Sequence, residues 1–165
     1  MSPALAQDAA FPLRIVRVTH EDLPKFEEFL KKDALQEETV SHTASRRFVA
    51  GLYESLNTFD FLSSNSHWLL AAEIEGQYVG YLTAIRIHKV DARKAVLFVD
   101  ELMVLNEYRR RGVATALMEE AQAIAREIGA WRFRLCVNLE NPAARTLYRK
   151  IGLAENLMVL CQQDT

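Results

Sequence analysis

The sequence predicts a single α/β domain built on a mixed, mostly antiparallel sheet with helices on both faces. Three observations carry that expectation. Three strand-like runs follow one another between residues 67 and 104 with short connections, the spacing that joins antiparallel neighbours. Two stretches of helical periodicity each stop at a glycine, Gly129 and Gly152, the residue that most readily takes the left-handed turn after a helix. One more strand-like run, 132–138, lies between those helices, and alternating strands and helices place helices over a sheet.

Each element has its own signature. Residues 1–11 are small and aperiodic and read as a flexible arm, so the domain is expected to span 12–165. Residues 13–18 alternate as a half-buried strand. Thr19, with Asp22 three positions later, caps a helix carrying Leu23, Phe26 and Leu30. From 33 to 62 the pattern is helical but ragged, one or two helices with Phe48, Val49, Leu52 and Leu56 on one face. Strands at 67–75 and 78–89 flank Gly76-Gln77, a hairpin connection, and a third strand covers 95–104. A helix over 113–128 aligns Leu117, Ala121, Ile124 and Ile128. Asn141 caps a last helix with Pro142 in its first turn, and residues 156–160 read as a final strand.

Composition narrows the function. The chain has 165 residues, 50% hydrophobic and 25% charged, with 6 Gly and 4 Pro, a globular composition of one-domain size. Twenty Lys and Arg against 22 Asp and Glu give a net charge of −2, which argues against a nucleic-acid partner. No apolar run reaches membrane-spanning length, and the first ten residues lack the basic start and apolar stretch of a secretion signal. A cytoplasmic protein without a membrane partner is the expectation. Cys136 and Cys161 have no metal-ligand spacing and sit in apolar stretches, so they are read as small hydrophobes, with no metal site.

The segment with chemical content runs from Val104 through Arg109, Arg110, Arg111, Gly112, Val113, Ala114 and Thr115. It joins a strong strand to a strong helix. The unpaired N–H groups of a helix's first turn, its dipole and three guanidiniums together suit a phosphate. Neither the Walker loop nor the dinucleotide fingerprint is present.

Arg109-x-x-Gly112-x-Ala114, after the strand 99-VDELMV-104, resembles the R/Q-x-x-G-x-G/A signature of the GCN5-related N-acetyltransferases. Downstream, Asn141-Pro-Ala-Ala144-Arg-Thr-Leu147-Tyr148-Arg-Lys-Ile-Gly152-Leu153 is similar to that family's N-x-x-A-x-x-L-Y-x-K-x-G-F block. The likeness is densest over 96–155. Departures are Asn106 where Pro is common, Arg110 where Gly is common and Leu153 where Phe is usual.

The resemblance implies the family's acyl-CoA N-acyltransferase fold and acetyl-CoA as co-substrate, bound by Met103, Val104, residues Arg109 to Thr115, Asn141, Ala144 and Tyr148. It implies the Leu102 backbone amide as oxyanion donor and Tyr148 as the acid that protonates the leaving thiolate. An acidic residue that receives the amine is implied at Glu101 or Asp100; strand alternation lets only one face the site, a bulge could reverse which, and Glu101 is preferred. The implied reaction is transfer of acetyl to a primary amine of a small molecule, aminoglycoside- or polyamine-like, or of a peptide or protein. Glu37, Glu38, His42, Tyr53, Phe59, Phe61, Trp68 and Tyr81 are candidates for the acceptor pocket. Residues 79–84 and 153–158 are similar to aminoglycoside 3-N-acetyltransferases, a likeness that leaves the substrate open. The competing function is a catalytically idle acyl-CoA-binding sensor. Homodimers are common in the family.

Overall fold

The computed structural model describes residues 12–36 and 42–163, which form two compact units, up to Leu135 and from Cys136 onward. The expected arm, 1–11, lies outside them, as do Glu37 and Glu38. In the first unit, strand β1 (Arg14–Arg17) leads through a short 3-10 turn (His20–Asp22) into helix α1 (Leu23–Gln36). Helix α2 (His42–Thr58) follows, then strands β2 (His67–Ile74), β3 (Gln77–His88) and β4 (Ala95–Val104). Helix α3 (Val113–Glu127) and strand β5 (Arg132–Leu135) complete the unit. The sheet order is β1-β2-β3-β4-β5, antiparallel except for the parallel pair β4/β5.

Helices cover both faces, as expected. Phe26 and Phe29 of α1 meet Tyr81 edge-on, and the core on this face adds Val18, Leu69, Ala71, Tyr78 and Leu105. On the other face α3 lies against Gly80, where a Cβ would stand 2.8 Å from the Met103 carbonyl oxygen and 3.2 Å from Val113 Cγ1. Only a glycine lets α3 come that close. The entry into α1 follows the expected cap: the Asp22 carboxylate accepts from Thr19 N–H at 2.9 Å and from its hydroxyl at 2.8 Å.

Three boundaries move for local reasons. The ragged stretch resolves into the end of α1 and one helix, α2, followed by a loop over 59–66. The hairpin turns at Glu75-Gly76, one residue before the expected pair, because both have positive φ (50° and 76°), the two-residue turn that matches strand twist. Strand β5 stops at Leu135 rather than 138, its pairing with β4 covering Val96 to Val99 and ending beside the bulge at Asp100.

The second unit is organised around α4 (Pro142–Lys150). Asn141 caps it, its side-chain oxygen accepting from Ala144 N–H at 3.1 Å. Gly152 (φ +88°) closes it, with Leu153 N–H on Tyr148 O and Gly152 N–H on Arg149 O. Arg145 forks onto Glu155 at 3.0 and 2.8 Å. The expected final strand at 156–160 is not formed: Leu157 to Leu160 are 74–88% exposed and make no ladder, and a strand without a hydrogen-bonding neighbour gains nothing over hydrated coil. Cys136 and Cys161 are exposed rather than core, since the strands expected to bury them are short or absent.

Candidate active site

Strand β4 organises the first unit's chemistry. On β3, Thr83 faces Glu101 and Ala84 faces Val99, leaving Asp100 as an extra residue in β4. This bulge decides the alternation question. One inserted residue brings two successive side chains to the same region, and Asp100 and Glu101 both line a cavity of about 750 Å³. Both of the carboxylates offered as alternatives therefore border this cavity.

Beyond the bulge, β4 pairs with β3 alone among the described residues. Glu101 N–H reaches Thr83 Oγ1 at 3.1 Å and Leu105 N–H reaches Val79 O at 3.0 Å, both toward β3. Amide direction alternates along a strand, so the amides of Leu102 and Val104 face the opposite, open edge. Arg109 Nε caps that edge, donating to Val104 O at 3.1 Å.

The strand then enters the arginine loop. Arg110 and Gly112 both have positive φ, 64° and 82°, so Arg110 occupies the conformation for which the related motif prefers glycine. The first bond of α3 runs from Ala116 N–H to Gly112 O. Val113, Ala114 and Thr115 amides thus have no partner within the helix, no acidic residue occupies its first turn, and Arg111 stacks over Tyr108 at 5.6 Å. The unpartnered first-turn amides and the arginines give the loop the sign of an anion site.

The cavity lies among α2, the 59–66 loop and strands β2 to β4. Its walls are Gly51, Glu54, Ser55 and Thr58 from α2, Phe59 and Phe61, His67 to Leu69, Thr83 to Ile85, and the two carboxylates. Arg17 pins the loop, donating to Ser64 O at 2.7 Å and His67 O at 3.1 Å, while His20 and Asp60 meet at 2.9 Å. Phe59 packs edge-on against His67. Among the described residues, neither Lys nor Arg lines the cavity.

Of the predicted acceptor residues, Phe59, Phe61 and Trp68 line the cavity. Tyr53 instead donates to Glu27 at 3.1 Å, and Tyr81 acts behind the wall, donating to Glu101 at 2.8 Å. The side chain of His42, like Glu37 and Glu38, lies outside the described residues. Glu54, Thr58, His67 and Thr83 were not singled out by the sequence. Only α2's helical spacing, which puts Gly51, Glu54, Ser55 and Thr58 on one face, could have found part of that set.

Asn141, Ala144 and Tyr148 belong to the second unit. Within it they lie on one helix, with Asn141 as its cap. Burial raises the Tyr148 phenol above the ordinary tyrosine value, so it is a protonated donor at neutral pH. Among the described residues no group of three or more His, Cys, Asp or Glu is placed to hold a metal ion, and no helix is long and apolar enough to cross a membrane.

The profile of the acetyltransferase (GNAT) family matches residues 23–153, and the chain belongs to that family. An uncharacterized N-acetyltransferase of Mycobacterium bovis is 33% identical over 115 residues, 70% of this chain and 69% of that protein. Aminoglycoside N(6′)-acetyltransferase type 1 of Acinetobacter baumannii is 30% identical over 95 residues, 56% of this chain and 65% of that protein. Among solved structures, an aminoglycoside acetyltransferase from an uncultured soil metagenomic sample superposes with a TM-score of 0.73 at 23% identity, covering 93% of this chain and 99% of that one. AAC(6′)-Iy in complex with a bisubstrate analogue of CoA and acetylneamine gives 0.69 at 18%, covering 93% and 98%. The protein is an N-acetyltransferase enzyme. The names of the two aminoglycoside acetyltransferases that specify a position give it as 6′.

Proposed function

We propose that the protein transfers the acetyl group of acetyl-CoA to a primary amine of a small, cationic molecule. The observation that carries this reading is the β4 bulge, which gives one strand two carboxylates toward a cavity and two unpaired amides along an open edge. A pantetheine arm carries amides of its own and fits an unpaired edge; the Val104 amide would hold it, leaving the Leu102 amide for the thioester. The coenzyme's pyrophosphate fits the first-turn amides of α3, which hold no acidic residue, and the guanidiniums of Arg109, Arg110 and Arg111; a Cβ at Gly112 would meet no described atom within 4 Å. When bound, acetyl-CoA supplies the activated acetyl group.

The chain's residues then have separate tasks. Leu102 N–H donates to the carbonyl oxygen as negative charge gathers there. Glu101, with Asp100 beside it, binds the incoming ammonium and receives its proton, directly or through water. The amine nitrogen forms the C–N bond and the C–S bond breaks; Tyr148, the acid implied by the family resemblance, gives its phenolic proton to the departing sulfur, and the second proton that leaves the nitrogen restores the phenol through water. A cavity of about 750 Å³ suits a small molecule better than a protein surface. Its carboxylates, Glu54, Asp100 and Glu101, and its aromatic side chains favour a cation such as an aminoglycoside or polyamine. No observation favours an idle sensor.

The test is thiol release from acetyl-CoA with panels of aminoglycosides, polyamines and short peptides. Turnover with cationic small molecules and none with peptides supports the reading. Turnover with peptides alone overturns the acceptor, and no turnover with any amine overturns the reaction.

A further inference from the structure

Tyr81 and Thr83 stand two residues apart on one face of β3, opposite Met103 and Glu101. Both reach Glu101. The Thr83 hydroxyl accepts the Glu101 backbone N–H at 3.1 Å, beside the bulge, so a side chain holds an amide that a regular ladder would give to a carbonyl. The Tyr81 hydroxyl donates to the Glu101 carboxylate at 2.8 Å, a diagonal cross-strand contact. Its ring is wedged edge-on against Phe26 and Phe29, centroids 5.5 and 5.6 Å away, which fixes the phenol oxygen. Burial, with the Glu101 charge beside it, pushes the Tyr81 phenol far above the ordinary tyrosine value, so it remains a donor throughout the working pH range.

We propose that Thr83 and Tyr81 are positioning residues for acceptor binding: Thr83 locks the bulge in register by holding the Glu101 backbone, and Tyr81 orients its carboxylate toward the acceptor amine. This rests on the reading of the cavity as the acceptor site. A bulge is one of several pairings open to two strands, and a one-residue slip would carry Glu101 to the opposite face. A long carboxylate side chain also loses rotamer freedom when it binds a cation. The two hydrogen bonds remove both sources of disorder before the acceptor arrives, which raises affinity by preorganisation.

The test compares Thr83→Val, Thr83→Ser and Tyr81→Phe in the full chain. Valine keeps the branched shape and removes the hydroxyl; phenylalanine keeps the ring between Phe26 and Phe29. Thr83→Val and Tyr81→Phe are each expected to lower kcat/KM for the acceptor roughly tenfold through KM, with KM for acetyl-CoA within twofold of the parent. Thr83→Ser is expected to restore most of the loss. Amide hydrogen exchange at Glu101, read by NMR, is expected to quicken roughly tenfold in Thr83→Val and to stay unchanged in Tyr81→Phe. Unchanged acceptor kinetics in both variants overturns the proposal, as do equal losses for donor and acceptor or failure of serine to rescue. If the parent acetylates no amine, the reaction assignment fails; the exchange result then decides the Thr83 lock by itself, and unchanged exchange overturns it.

Discussion

At the scale of single residues, the proposed chemistry divides between groups whose loss has different kinetic signatures. Tyr148→Phe keeps the ring and removes the proton, so turnover is expected to fall about 100-fold, within the usual range for a general acid, with little change in KM for acetyl-CoA; unchanged turnover in a steady-state assay removes the acid role. Because burial raises the Tyr148 phenol, its loss as a donor lies above pH 10. The rate is therefore expected to climb as the acceptor amine deprotonates and to show no tyrosine-dependent fall below pH 10, which a pH–rate profile checks. Gly112→Glu forces a side chain onto a backbone at φ +82° and sets a carboxylate against the anion site. Acetyl-CoA affinity is expected to fall at least 100-fold by calorimetry, and intact binding rules out the loop as the pyrophosphate site.

At the scale of elements, the close approach of α3 to β3 sets the geometry of the proposed donor half. Gly80→Ala places a Cβ 2.8 Å from the Met103 carbonyl oxygen, a backbone atom that moves only with the strand. Chemical denaturation is expected to show a loss of about 1–3 kcal/mol, with a rise in KM for acetyl-CoA because Met103 lies between the two open-edge amides. Elements with local signals were legible in the sequence: Gly129 and Gly152 closing helices, Asn141 capping α4, and the full extent of β4. The β4 bulge was not, because it depends on register with Thr83, and register is a property of two strands. The missing strand at 156–160 failed for the related reason that apolar alternation declares a propensity but cannot supply a neighbour. Most of the cavity wall was hidden likewise, since Glu54, His67 and Thr83 come from three elements brought together only by folding.

At the scale of the molecule, tyrosines tie stability to alkalinity. The phenols of Tyr53, Tyr78, Tyr81 and Tyr148 are all raised, each mainly by burial, and Tyr78, flanked by Asp22 and Glu73, reaches about 12. A group held above its unfolded value near 10 contributes fully below that value and loses its contribution as pH rises through the folded one. Thermal melting temperature is therefore expected to be flat with respect to these groups up to about pH 10 and to fall steeply between pH 10 and 12. Tyr78→Phe should make that fall shallower; an identical slope in the variant removes Tyr78 from the account.

The division of labour across β4 also shapes how the enzyme can change. The amides offered along its open edge belong to the backbone and are indifferent to the side chains of Leu102 and Val104, whereas the cavity is walled by side chains from α2, the 59–66 loop and β2. On the proposed reading, substitutions at Glu54, Thr58 or Phe59 redraw which amine is accepted while the acetyl donor is held as before. New acceptors lie within reach of single point mutations, and a drift in specificity need not pass through an inactive ancestor.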